Sequence, residues 1–64
     1  MEKFGAKLRQ ARLRKGVTQE WMAQKMHIHR STYTKYETGQ VDPGVEGLRE
    51  MVRLLEVDPM ELLG

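Results

Sequence analysis

Apolar positions recur along the chain at spacings of three and four residues, and Gly16, Gly39, Pro43 and Pro59 interrupt that rhythm. Phe4, Leu8, Ala11 and the stem of Lys15 share one side of a first helix, with Lys3, Lys7, Arg9 and Arg14 opposite. Gly16, just after a cationic last turn, ends it, because glycine accepts the left-handed conformation that satisfies the final carbonyls. Thr18 caps a second helix over Gln19 to Met26, with Glu20 at the positive end of the dipole. Met22, Ala23 and Met26 then face inward, Ala23 offering a crossing point without bulk. About three residues later a third helix runs from Arg30 to Glu37. So short a connection implies a sharp bend. Tyr33 and Tyr36 turn toward the core and Arg30, Ser31, Thr32, Thr34 and Lys35 point outward.

Gln40 to Gly44 is a loop, broken on both sides by Asp42-Pro43-Gly44. Val45, Leu48, Met51, Val52 and Leu55 then form the apolar face of a fourth helix, in which Gly47 marks close backbone contact or tolerated weakness. Asp58-Pro59-Met60-Glu61 places a capping aspartate, a proline at the first helical position and a glutamate at the third, so a short fifth helix starts there, anchored by Leu62 and Leu63. The expected fold is all-α, one domain over residues 1–64, without repeats or linkers.

At 64 residues the chain buries only roughly 60% of its unfolded surface, which favours helices around a single small core. Without cysteine it has no disulfide, thiolate metal site or thiol nucleophile. The N-terminus lacks an apolar run and no stretch approaches the ~20 residues of a membrane span. A soluble, cytoplasmic protein is the expectation. The net charge is +2, but Met1 to Gly16 carries six Lys and Arg against one Glu, and Gln40 to Gly64 carries two against six Asp and Glu. This polarity suggests a polyanion met on one side.

The segments GAKLRQARLRKGVTQEWMAQKM, STYTKYETG and LLEVDPMELL resemble the phage-repressor and Cro-type helix-turn-helix family, also called the Xre family. The likeness covers about Phe4 to Leu63. It rests most on Leu8, Arg12, Gly16, Thr18-Gln19, Ala23, the Tyr36-Glu37-Thr38-Gly39 run and Pro43, in order and at matching spacings. It implies a compact five-helix, lambda-repressor-like DNA-binding domain whose second and third helices form the helix-turn-helix. The third would lie in the major groove of double-stranded DNA, with Gln19 meeting a backbone phosphate.

On that resemblance, Arg30, Ser31, Thr34 and Lys35 are the expected base-reading residues. Arg30 has a donor fork suited to guanine O6 and N7, Ser31 is small enough to approach base edges, Thr34 has a methyl suited to thymine, and Lys35 reaches a base or the flanking backbone. Thr18, Gln19, His29, Thr38 and Gln40 are expected at phosphates, fixing register without reading sequence. Arg12 and Glu37 would pair and tie the third helix to the scaffold. Val57, Met60 and Leu63 are the candidates for a homodimer contact on a pseudo-palindromic operator.

His27 stands in the turn where the family usually has glycine, a position expected to need positive φ, and Glu56 replaces another frequent glycine. His29 replaces the usual serine before the third helix, and Asp42 adds negative charge to a loop expected near phosphate. His27 and His29 lack a third partner for a metal, so neither metal nor cofactor is expected. Leu13 and Trp21 fall where the family is polar, either covering one another or forming a patch for a protein partner. No nucleophile-base constellation, carboxylate pair or phosphate-binding glycine loop points to an enzyme. The expected function is a sequence-specific transcriptional regulator, in the first instance a repressor. The competing expectation is an antitoxin or protein-interaction module built on the same fold.

Overall fold

In the computed structural model, which describes residues 2–64, the order is α1 Glu2–Lys15, α2 Gln19–Met26, α3 Arg30–Thr38, α4 Gly44–Leu55 and α5 Pro59–Leu63. Local chemistry sets most boundaries. The N–H of Gly16 donates to the carbonyls of Arg12 and Leu13, closing α1. Thr18 accepts from the backbone N–H of Trp21 at 2.9 Å and starts α2. Asp58 accepts from that of Met60 at 2.9 Å and starts α5, with Pro59 in the first turn. His29, by contrast, precedes α3 in an extended conformation without a side-chain cap bond.

α3 lies across both α1 and α2, α5 closes against α1, and α4 rests on α2 and α1. Their shared core holds Phe4, Leu8 and Ala11 of α1, Met22 and Ala23 of α2, Tyr33 of α3, Met51 and Leu55 of α4, and Leu62 of α5. The Cα trace spans 26 × 22 × 19 Å. Tyr33 is fully buried and meets Tyr36 edge-on, ring centroids 6.2 Å apart. Among the described residues no helix is long and apolar enough to cross a membrane.

His27 and Glu56 end α2 and α4 at φ 59° and 56°, so both family glycines are replaced by residues held in the left-handed region. Each still makes the closing bonds of its helix. The conformation is therefore imposed by the helix ends against the preference of the side chain.

Three expectations change. Val45 is 69% exposed and not part of the core face. It sits in the first turn of α4, and only from Leu48 onward does the apolar stripe reach the core. Trp21 is not an outward residue: it packs partly against the core, with the Lys25 ammonium 5.7 Å from its ring centroid, while Leu13 stays 53% exposed. The small residue at the tightest helix crossing is Gly5, not only Ala23. A Cβ at Gly5 would stand 2.3 Å from the Glu37 carbonyl oxygen, so α1 and α3 meet there backbone to backbone.

Candidate nucleic-acid interface

α3 is one residue longer than its pattern suggests, and its outer surface carries Arg30, Ser31, Lys35 and Thr38, all exposed. Thr34 lies half-buried on the flank that faces α2. Two of the expected phosphate residues, Thr18 and Thr38, spend a hydroxyl locally: Thr18 caps α2 and the Thr38 hydroxyl donates to the Lys35 carbonyl at 3.2 Å. Both remain exposed, as do His29 and Gln40. Asp42 is also exposed, its carboxylate accepting from the Gly44 N–H at 2.8 Å, which folds it into its own loop.

Behind this surface, Arg12 and Glu37 form a buried ion pair, Nε to Oε2 at 2.6 Å, with side chains 9% and 3% exposed. Arg12 Nη2 reaches the other carboxylate oxygen at 3.4 Å, and Nη1 donates to the Val17 carbonyl at 2.9 Å. Burial alone would raise the Glu37 pKa, but the surrounding donors, Arg12 foremost, outweigh it and hold the carboxyl below its ordinary value. The same hydrogen bond to Glu37 raises Arg12. Beside them the Tyr33 hydroxyl is buried without a hydrogen-bond partner among the described residues. Burial and the adjacent carboxylate push its pKa up.

Gln19 has a place that the sequence did not suggest. Its amide donates to Glu37 Oε1 at 3.0 Å, and its carbonyl accepts from the Thr34 hydroxyl at 3.0 Å. The side chain thus joins α2 to α3 at two points beside the start of α2. A cleft of about 370 Å³ opens there, lined by Arg12, Thr18, Gln19, Glu20 and Arg30. The exposed guanidinium of Arg30 and the N-terminus of α2 favour an anion in it, against the charge of Glu20, while the Arg12 charge is already met by Glu37.

The charge polarity seen along the chain is partly consumed inside the fold. Lys15 stands 3.5 Å from Glu56 and Arg14 3.8 Å from Glu61, so the end of α1 faces the acidic C-terminal part. Such exposed pairs add little stability, but the nearby carboxylates offset part of the basic charge at this end of α1. Arg30 and Lys35 carry no such partner among the described residues.

Of the dimer candidates, Met60 and Leu63 are 66% and 51% exposed, whereas Val57 packs partly against the core. Leu63 edges an apolar groove of about 280 Å³ that also takes in Phe4, Tyr36, Val41, Val45 and Leu48. Val41 and Val45 were not among the candidates: Val41, in a loop, gives no periodic signal, and the periodicity of α4 assigned Val45 to the core.

A family model described as a helix-turn-helix domain matches residues 3–63. The chain is 35% identical over 60 residues to the HTH-type transcriptional activator BcrR of Enterococcus faecalis, covering 94% of this chain and 29% of BcrR. It is 37% identical over 60 residues to the SPbeta prophage-derived uncharacterized HTH-type transcriptional regulator YonR of Bacillus subtilis (strain 168), covering 94% of this chain and 56% of YonR. Thus it spans under a third of one of these relatives and little more than half of the other. Among solved structures, the restriction-modification controller protein C.AhdI from Aeromonas hydrophila superposes with a TM-score of 0.87 at 33% identity, over 95% of this chain and 92% of that one.

Proposed function

The chain belongs to the helix-turn-helix domain family, and from that premise we propose that it is a sequence-specific DNA-binding transcriptional regulator that enters the major groove with α3. The observation that carries the proposal is the exposed face of Arg30, Ser31 and Lys35 on a helix anchored from behind by the buried Arg12–Glu37 pair. A reader must present donors and acceptors in fixed register, and an anchored helix does so at low entropic cost.

Arg30 is assigned to a guanine O6 and N7, Ser31 and Lys35 to neighbouring base edges, and Thr34 to the flank of the same contact. The cleft at the start of α2 takes a phosphate through the Gln19 backbone N–H and Thr18. His29, Thr38 and Gln40 face the flanking backbone. Occupation of an operator that overlaps a promoter gives repression.

A module with so few base contacts gains affinity by binding as a homodimer on two half-sites about one helical turn apart. Exposed Met60 and Leu63 beside the apolar groove support a contact through this end of the molecule. Sedimentation at micromolar concentration, with and without operator DNA, tests this; a strict monomer in both would remove the homodimer.

Exposed Leu13 favours the second reading, a module that binds another protein. A salt titration separates the two. Contacts to several phosphates make log affinity fall linearly and steeply with log salt, whereas an apolar protein interface responds weakly. Association with duplex DNA that is flat in salt would remove the DNA assignment.

A further inference from the structure

The chain of polar groups from Arg12 to Thr34 has a direction, and its far end is half-exposed on α3. Glu37 is a carboxylate surrounded by donors, Arg12 Nε at 2.6 Å and Gln19 Nε2 at 3.0 Å. An ionised carboxylate only accepts, so the Gln19 atom that faces it must be the NH₂ group. The amide orientation is therefore fixed by chemistry, and the opposite atom, the Gln19 carbonyl oxygen, must face Thr34. That oxygen in turn only accepts. The single proton of the Thr34 hydroxyl is committed to it, at 3.0 Å.

We propose that Thr34 is thereby held as an acceptor-only group, which on DNA takes a hydrogen bond from the exocyclic amine of a base and turns away phosphate oxygens. This rests on the reading of α3 as the helix in the major groove. A hydroxyl has one proton and two lone pairs. With the proton spent toward α2, only lone pairs and the methyl remain to face outward. In the major groove the matching donors are adenine N6 and cytosine N4, one in every base pair, while guanine O6, thymine O4, purine N7 and every phosphate oxygen are acceptors. Thr34 lies one turn from both Arg30 and Thr38 on α3, so its flank adjoins that of the exposed Arg30. Gln19 and Glu37 act here as positioning residues. They set what Thr34 offers without touching the base.

The test begins with selection of sites from random duplex DNA by the wild type and by Thr34→Val, which keeps the shape of the side chain and removes the hydroxyl. The base pair at which Thr34→Val relaxes preference is then rebuilt with its amine removed, using purine for adenine or pyrimidin-2-one for cytosine, and separately with a 7-deazapurine, which removes the N7 acceptor. Loss of the amine is expected to weaken wild-type binding roughly 3- to 10-fold, the range for one hydrogen bond, and to leave Thr34→Val almost unchanged. Loss of N7 is expected to affect both proteins alike. In Gln19→Leu the hydroxyl keeps its lone pairs but is free to turn and donate, so the amine penalty persists while the preference for an amine over guanine O6 or thymine O4 at the same place narrows, even though overall affinity also falls.

An amine penalty of equal size in the wild type and Thr34→Val overturns the proposal. So does an N7 penalty that disappears with Thr34→Val, because Thr34 would then be the donor, and so does an undiminished preference for an amine over guanine O6 or thymine O4 in Gln19→Leu. Enrichment by the wild type with an identical profile for Thr34→Val removes Thr34 and leaves DNA reading by α3 intact. No enrichment by the wild type at all removes both.

Discussion

Glu37→Met isolates the contribution of the buried ion pair, since methionine keeps most of the length of the side chain and removes its charge. It leaves the Arg12 guanidinium, 9% exposed, with only the Val17 carbonyl, and it deprives the Gln19 amide of its acceptor. Breaking one side of such a pair costs about 3–5 kcal/mol, most of it the penalty of an uncompensated buried charge. A chain of 64 residues has a total stability of roughly 3–10 kcal/mol, so this single change removes a large fraction of it. In thermal unfolding followed by circular dichroism, the expected fall in Tm is roughly 12 °C or more, at about 4–8 °C per kcal/mol for a domain of this size. The double variant Arg12→Met/Glu37→Met supplies the control. With both charges gone the desolvation penalty goes too, and stability returns to within about 1–2 kcal/mol of the wild type. A loss below about 1 kcal/mol in Glu37→Met, the range of an exposed pair, would refute the reasoning, and so would a double variant no more stable than the single one.

The acid limb of stability follows from the same residue. Glu37 has its folded pKa lowered from 4.5, so the unfolded chain binds the proton first as pH falls. Its contribution is whole above that value and is lost as pH drops through the folded pKa; urea unfolding across this range should show a steeper acid loss in the wild type than in Arg12→Met/Glu37→Met. Gly5→Ala places a Cβ against the Glu37 carbonyl oxygen and should cost about 1–3 kcal/mol by chemical denaturation, as overpacking does, whereas Ala6→Ser on the exposed side of α1 should change stability by less than about 0.5 kcal/mol. His27→Gly relieves a left-handed conformation at φ 59° and should raise stability by about 1 kcal/mol; a decrease would mean that the imidazole makes a contact worth more than the strain.

Most of the fold is legible from local signals. Gly16, Thr18, Gly39 and the Asp58-Pro59 pair mark helix ends by chemistry confined to a few residues, and Met22, Tyr33, Met51 and Leu55 follow from periodicity. The need for positive φ at His27 was visible only by resemblance, because nothing in a histidine announces a left-handed cap. What stayed hidden depends on partners distant in sequence. Gly5 becomes a crossing point only when α3 is laid on α1, and Val45, at the periodic spacing of α4, lines a surface groove and stays outside the core. Gln19 looked like an outward polar residue at a helix start. Its bonds to Glu37 and Thr34 span 18 and 15 residues, and no local pattern encodes them. Likewise the pairing of Arg14 and Lys15 with Glu61 and Glu56 turns an apparent basic front into a partly neutralised one.

The proposed reading of base sequence in duplex DNA falls to the exposed face of α3. Selection from random duplexes at low salt, run in parallel for the wild type and Arg30→Ala, tests it most directly. The expected result is an enriched pseudo-palindrome containing a guanine whose preference Arg30→Ala relaxes by about 1–3 kcal/mol while other positions persist. Failure of the wild type to enrich any sequence, or an Arg30→Ala profile that differs from it only by a uniform loss of affinity, would contradict it.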